Sequence, residues 1–150
     1  MSIVRVFESA DAARCCDIIN TCVHTMDGLN QAAREYLYVK NTPAALAHEL
    51  QHMFSLVAED QGVVVGVGGL AGHEIKRLYV QPAAQGQGIG TALLLVLEAE
   101  AKRRGVHRLL AQASPSAASF YARHGYASLG SDSLQVGEAE FHVVNMEKVG

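Results

Sequence analysis

Residues 78–94 read LYVQPAAQGQGIGTALL. An apolar run ends at Gln81-Pro82, glycine then occurs at positions 86, 88 and 90, and an aliphatic run follows at once. Each glycine costs roughly 0.5–1 kcal/mol relative to alanine in regular structure. Three glycines where a helix should begin therefore indicate either a tight turn or a loop that must expose its main chain.

The glycine loop lies between a predicted strand, Glu74 to Val80, and a predicted helix, residues 89–104. The first N–H groups of a helix have no helical partner and the helix dipole is positive there, which suits a phosphate. Glycines let a diphosphate approach the main chain without meeting Cβ atoms. A dinucleotide fingerprint would need glycine at Thr91, and a P-loop would need Gly-Lys-Ser/Thr. The glycine pattern alone leaves phosphate binding and a plain turn equally open.

The composition is that of a well-packed globular chain, since 49% of the 150 residues are hydrophobic and 18% are charged. We expect a single domain over residues 1–150. The formal charge of −3 argues against nucleic acid and anionic membranes as partners, because both bind basic surfaces. The N-terminus lacks the apolar core of a signal peptide, so we expect a cytoplasmic protein. Three cysteines without metal-ligand spacing are expected to be buried thiols: Cys15, Cys16 and Cys22.

The spacing of apolar residues predicts strands and helices that alternate along the chain. Helices are predicted from Ser9 to Gly28, over residues 30–39, from Pro43 to Met53, over residues 89–104 and from Pro115 to His124. Strands are predicted at residues 2–7, in the hairpin formed by FSLVAED and VVVGVGGLAG, at Glu74–Val80, and at residues 107–113, 126–130 and 140–148. The Gly/Ser-rich segment GSDSLQVGEA separates the last two strands. This order predicts an α/β or α+β sheet with helices on its faces.

Residues 48–52, HELQH, match the zinc-protease pattern H-E-x-x-H. On a helix with 100° per residue, Leu46 and Leu50 fall on one side, and His48 and His52 fall on the opposite side. The longer zinc pattern also fails, because Ala58 stands where a third histidine would be. We therefore predict that both histidines face solvent, and we predict no metal site.

Three segments together resemble the GCN5-related N-acetyltransferase (GNAT) superfamily: EIKRLYV, QPAAQGQGIGTALL and ASPSAASFYARHGY. The acetyl-CoA loop of that family has the form Gln/Arg-x-x-Gly-x-Gly/Ala, which Gln85, Gly88 and Gly90 match. The resemblance covers residues 55–126 and the closing FHVVNMEK. It implies the GNAT fold, an α/β (α+β) architecture whose mixed, mostly antiparallel sheet of about seven strands is flanked by about four helices.

The resemblance also implies how acetyl-CoA, the expected co-substrate, is held. The N–H groups of the loop would face the diphosphate, and the pantetheine arm would pair with the strand at Leu78 to Val80 as an added strand does. Ser114 stands where the family often has an asparagine that contacts the pantetheine. The implied acetyl-CoA contacts are Leu78, Tyr79, Val80, Gln85, Gly86, Gln87, Gly88, Ile89, Gly90, Thr91, Ser114 and Tyr121.

Three residues are implied to be catalytic. The N–H of Leu78 maps to the oxyanion donor, and Tyr121 maps to a tyrosine that hydrogen-bonds the CoA sulfur. Because a phenol has a pKa near 10 and a thiol near 8.5, Tyr121 would stabilise the thiolate rather than protonate it fully. Glu74 stands where several members carry a catalytic glutamate, but an ordinary solvated carboxylate is equally compatible with this position. The alternatives for a base are His73, on the opposite face of the strand, and a water chain.

The first functional hypothesis is an N-acetyltransferase that moves an acetyl group from acetyl-CoA to a primary amine by direct attack in a ternary complex. The alternatives are an acyl-CoA-binding sensor or partner module without turnover, and an acetyltransferase of protein N-termini or lysines. The acceptor is expected to be a small-molecule amine or a peptide, bound by residues 24–40 and 129–139. Homodimers are common among small members of the family, and the sequence does not set the oligomeric state.

Overall fold

The computed structural model describes residues 2–150. Its helices are α1 (Ala12–Thr25), α2 (Gln31–Lys40), α3 (Pro43–Gln51), α4 (Ile89–Arg103) and α5 (Ala118–Arg123). Its strands are β1 (Ser2–Val6), β2 (Phe54–Asp60), β3 (Val63–Ala71), β4 (Glu74–Val80), β5 (Arg108–Ala113), β6 (Ala127–Val136) and β7 (Ala139–Val149). Short 3-10 turns cover Ser9–Asp11 and Pro82–Ala84.

The seven strands form one mixed sheet in the order β1-β2-β3-β4-β5-β7-β6. All neighbouring strands are antiparallel except β4 and β5, which run parallel through the pairs Glu74–Leu110 and Ile75–Ala111. The predicted fold class is therefore confirmed, and the five helices are those that the residue spacing predicts, one more than the family resemblance implied. The parallel pair matters for function because β4 and β5 both end at the same edge of the sheet.

Helices cover both faces of the sheet with apolar stripes. On one face α4 buries leucines such as Leu93 and Leu97, each 0% exposed. On the other face α1 and α3 bury residues such as Ile18 and Leu46. None of the helices within residues 2–150 is both long and apolar enough to span a bilayer.

The helix that contains HELQH packs as its sequence predicts. Leu46 and Leu50 are each 1% exposed, whereas His48 and His52 are exposed and their rings touch at a centroid distance of 4.4 Å. Thr42 caps the helix by accepting a hydrogen bond from the Ala45 N–H, 3.2 Å away. Between the histidines, Glu49 forms an ion pair with Arg77 on β4.

The prediction for residues 126–139 was wrong. The sequence predicts a short strand at 126–130 followed by a Gly/Ser-rich connection, but β6 continues to Val136 and pairs with β7 along its whole length. Gly130, whose φ is 122°, lies next to a bulge, and β6 continues beyond this bulge. The residues of β6 are exposed, so the apolar alternation that marks a half-buried strand is missing.

Candidate functional site

A cavity of about 600 Å³ opens where β4 and β5 separate, next to the start of α4. Its walls come from the end of α1, the second half of β4, the glycine loop with the first turn of α4, and the segment that includes α5. The residues lining it are Cys22, Thr25, Met26, Leu78, Tyr79, Val80, Ala84, Gln85, Gly86, Gly88, Ile89, Gly90, Thr91, Ser114, Ser116, Ala117, Phe120, Tyr121 and Arg123.

Two glycines of the loop have a backbone conformation that favours glycine. Gly86 and Gly88 have φ angles of 80° and 82°, in the left-handed region that side chains disfavour. A Cβ built on either residue would meet nothing within 4 Å, so the space above the main chain is open. The loop is also tied to β4, because the Gln85 side-chain amide donates a 3.1 Å hydrogen bond to the Val80 carbonyl.

The start of α4 presents main-chain donors to the cavity. Gly88 is its N-cap residue, and the first helical bond at this end runs from the Ala92 N–H to the Gly88 carbonyl at 3.0 Å. The N–H groups of Ile89, Gly90 and Thr91 precede that bond and have no carbonyl one turn earlier in the helix. With the positive end of the helix dipole beside them, they form a site suited to a phosphate.

The third glycine lets α4 approach α5 closely. A Cβ on Gly90 would come within 3.3 Å of the Phe120 ring, which is tighter than an ordinary contact. Phe120 also packs edge-on against Tyr121 and at a tilt against His124. The packing of Phe120 therefore links the glycine loop to the helix that carries Tyr121.

Tyr121 is a buried tyrosine that lines the cavity. The residue is 7% exposed and lies edge-to-face against Phe120 and Tyr126. Burial, and secondarily the neighbouring Tyr79, raise the pKa of Tyr121 above its ordinary value, so the hydroxyl keeps its proton at neutral pH. Within residues 2–150 no group forms a hydrogen bond with this hydroxyl, which leaves it able to donate to a ligand.

Residues 24–149 match the family described as the acetyltransferase (GNAT) domain. The chain belongs to the GNAT acetyltransferase family. The resemblance noted in the sequence is thus confirmed, and acetyl-CoA is the co-substrate that membership in the GNAT family indicates.

A curated GNAT relative is an IAA acetyltransferase from Azospirillum brasilense, 39% identical over 84 residues that cover 50% of this chain and 55% of that protein. The chain thus spans about half the length of that relative. A solved GCN5-related N-acetyltransferase from Rhodopseudomonas palustris has a TM-score of 0.92 and 28% identity, covering 100% of this chain and 96% of that one. The PaiA N-acetyltransferase of Thermoplasma acidophilum, solved in complex with coenzyme A, shares the fold at a TM-score of 0.79 and 19% identity, covering 100% and 99% of the two chains.

Most residues that the sequence singled out for the GNAT site come together at the cavity. Of the predicted acetyl-CoA contacts, Gln87 is the exception, because it does not line the cavity. Ser114 does line it, at the end of β5. The other predicted acetyl-CoA contacts therefore share one cavity wall, and the role of each residue stays a prediction.

Glu74 lies elsewhere. It begins β4, four residues before Leu78, and lines a second cavity of about 280 Å³ together with residues such as Leu110 and Gln112. The structure therefore does not bring Glu74 together with Tyr121. No aspartate, glutamate or histidine is among the residues that line the larger GNAT cavity, within the part of the chain that the structure describes.

The sequence analysis assigned residues 24–40 to the acceptor but missed Cys22 of α1 as part of the GNAT cavity. Cys22 was predicted to be one of three buried thiols, but it is half-buried and lines the cavity with Thr25 and Met26. Its Sγ donates a 3.3 Å hydrogen bond to the Val80 carbonyl, and burial raises the pKa of this thiol. The apolar periodicity of α1 indicated a buried face, and only the packing of α1 against β4 shows that one end of this face meets the cavity.

Proposed function

We propose that this protein transfers an acetyl group from acetyl-CoA to a primary amine by direct attack in a ternary complex. One observation carries the proposal: a single cavity joins the open glycine loop and the start of α4 to Tyr121 and to β4 at Leu78. The loop fits a diphosphate, and Tyr121 offers a hydrogen-bond donor suited to a thiolate.

Acetyl-CoA fits the residues that are present. The open space above Gly86 and Gly88 admits a phosphate close to the main chain, and the N–H groups of residues 89–91 would hold it. Arg123 is exposed at the cavity wall and adds a positive charge for the phosphates. The main chain of Leu78 to Val80 would hold the pantetheine arm as an added strand, because β4 has already separated from β5 there.

When bound, acetyl-CoA supplies a thioester carbonyl that an amine nitrogen can attack. The Leu78 N–H would donate to the carbonyl oxygen as negative charge develops on it, a role typically worth about 2.7–4 kcal/mol. The Tyr121 hydroxyl would donate to the sulfur as the carbon–sulfur bond breaks. Because its pKa is raised, Tyr121 stabilises the thiolate by a hydrogen bond and keeps its own proton. Holding both reactants in line can itself supply roughly 7–11 kcal/mol of the barrier.

The attacking amine must be neutral, and its proton must leave. The residues lining the cavity include no carboxylate or imidazole in the described chain, so we propose that the proton passes to water. A role for Glu74 would need a chain of water molecules from the smaller cavity to the amine. The acceptor would bind beside Thr25 and Met26, which line the cavity and lie within residues 24–40.

Two measurements on the same sample test the proposal. Calorimetric titration with acetyl-CoA should give saturable binding, and free thiol should appear above background hydrolysis with at least one member of a panel of amines, polyamines and peptides. Binding without thiol release would favour the sensor hypothesis. No binding at all would refute both functions.

A further inference from the structure

Arg77 has a backbone conformation that does not belong in a strand. It lies inside β4 with a φ of 58°, in the left-handed region that residues with a Cβ avoid. Among the described residues, the other non-glycine residue with a positive φ is Gln61, in the tight turn between β2 and β3. A turn accounts for Gln61, whereas the conformation of Arg77 needs another cause.

The left-handed residue creates a bulge in β4. Tyr79 pairs with Val67 and Lys76 pairs with Gly69, so two residues, Arg77 and Leu78, face the single residue between Val67 and Gly69. Pairing of β4 with β5 ends at Ile75, just before the bulge. The bulge therefore lies at the point where the two strands separate and the cavity begins.

The side chain of Arg77 is fixed by three hydrogen bonds to the α2–α3 region. Nε and Nη2 donate to the two carboxylate oxygens of Glu49 at 2.6 and 3.0 Å, and Nη1 donates to Asn41 Oδ1 at 3.0 Å. Asn41 is 2% exposed, and its carbonyl accepts hydrogen bonds from Cys16 Sγ and Asn20 Nδ2. A planar guanidinium held at three nitrogens has one orientation, which restrains the position of the main chain that carries it. We call Arg77, Glu49 and Asn41 the Arg77 anchor.

We propose that the Arg77 anchor is a positioning device that holds the bulge of β4 open and aims the Leu78 N–H into the cavity. Arg77 does not line the cavity, and it acts through the main chain of the next residue. The glutamate that the HELQH pattern would make a zinc-protease base is instead the partner of this arginine. The inference rests on the proposed function, because it assigns the Leu78 N–H to the acetyl transfer reaction.

Arg77→Ala and Arg77→Gly form a matched pair for the test. Both remove the guanidinium, but only glycine adopts a left-handed φ without strain. We expect Arg77→Ala to lower kcat at least about tenfold with little change in the dissociation constant of coenzyme A, because a misdirected donor harms mainly the transition state. We expect Arg77→Gly to stay within about threefold of the wild type. Glu49→Ala should lower kcat about as much as Arg77→Ala does, since it leaves the strained Arg77 without its main hydrogen-bond acceptor.

Asp11→Asn is the control for loss of stability alone. It disrupts a bidentate ion pair with Arg5, which is also formed at 2.8 Å but lies near the β1 edge of the sheet. It should lower the melting temperature without changing kcat. Equal kcat values for Arg77→Ala and Arg77→Gly would overturn the proposal. The proposal would also be overturned if Asp11→Asn lowered kcat as much as Glu49→Ala does.

A second readout does not depend on turnover. The Cα and Cβ chemical shifts of residue 77 distinguish left-handed from extended backbone in the ligand-free wild type, Arg77→Ala and Glu49→Ala. We expect left-handed values in the wild type and extended values in both variants. Left-handed values in all three proteins would refute the anchor, even if no amine is acetylated and the proposed function fails.

Discussion

The Thr91 hydroxyl lies 3.0 Å from Nε2 of His124 and so connects the first turn of α4 to the end of α5. The other ring nitrogen of His124 lies 2.9 Å from the Phe120 carbonyl and must carry a hydrogen to bond with it. In the neutral ring Nε2 is then an acceptor, and Thr91 is the donor. This bond fixes the helix that carries Tyr121 to the proposed diphosphate site.

Thr91→Val should weaken acetyl-CoA binding about fivefold, because it removes this hydrogen bond while it keeps the shape of the side chain. Thr91→Ser keeps the hydroxyl and should bind as the wild type does. Isothermal calorimetry measures both variants. If the serine variant is as weak as the valine variant, the methyl group of Thr91 and not its hydroxyl is responsible.

Gly88→Asp should weaken acetyl-CoA binding at least about tenfold, because it places a carboxylate beside the phosphates. Gly105→Asp is the matched control, since Gly105 also has a positive φ, 79°, and open space around its Cβ, but lies just beyond the C-terminal end of α4. Both variants should lose about 1 kcal/mol of stability from the strained backbone. Unchanged affinity in Gly88→Asp would refute the loop assignment.

Tyr121→Phe should lower kcat roughly tenfold or more with little change in acetyl-CoA affinity, because it removes one hydrogen bond to the developing thiolate. Tyr126→Phe is the control, since Tyr126 packs against the Tyr121 ring but its hydroxyl donates to Glu98 at 2.8 Å. That control should lose about 1 kcal/mol of stability and keep its turnover. Full activity of Tyr121→Phe across the pH range would show that Tyr121 serves only in packing.

Glu74→Gln tests whether the smaller cavity takes part in proton transfer. Because Glu74 does not line the larger cavity, we expect kcat within about threefold of the wild type and an unchanged pH profile. Steady-state rates of both proteins, measured from about pH 6 to 9, give kcat and the pH profile. A large loss of kcat together with loss of the acidic limb of the profile would make Glu74 the base.

Asp11 should make the stability of the fold depend on acid pH. Hydrogen bonds from Arg5 hold the pKa of Asp11 below its ordinary value, although burial opposes this. A carboxyl with a lowered folded pKa contributes stability above its unfolded pKa, about 3.9, and this contribution is lost as the pH falls through the folded pKa. Urea unfolding of the wild type and Asp11→Asn should therefore differ by a constant free energy at pH 5–7. The difference should shrink at lower pH, and a difference that grows in acid would contradict this assignment.

The sequence could predict those parts of the site whose geometry depends on a few consecutive residues. The left-handed φ of Gly88 and the free N–H groups after it depend on a few consecutive residues, so the pattern QGQGIG indicates them directly. Tyr121 required the family resemblance, because a buried tyrosine beside Phe120 looks like ordinary core. The extension of β6 was missed because an exposed edge strand carries no apolar alternation.

Local patterns in the sequence were enough to predict the mixed order of strands and helices, the glycine loop at the start of α4 and the family to which the chain belongs. Which residues share a cavity could be seen in the folded protein alone, because it depends on contacts between distant parts of the chain. The fold brings Cys22 to the cavity and leaves Glu74 at the other end of β4. It also joins Glu49 to Arg77 across 28 residues, an ion pair that hydrophobic periodicity cannot predict since both side chains are charged.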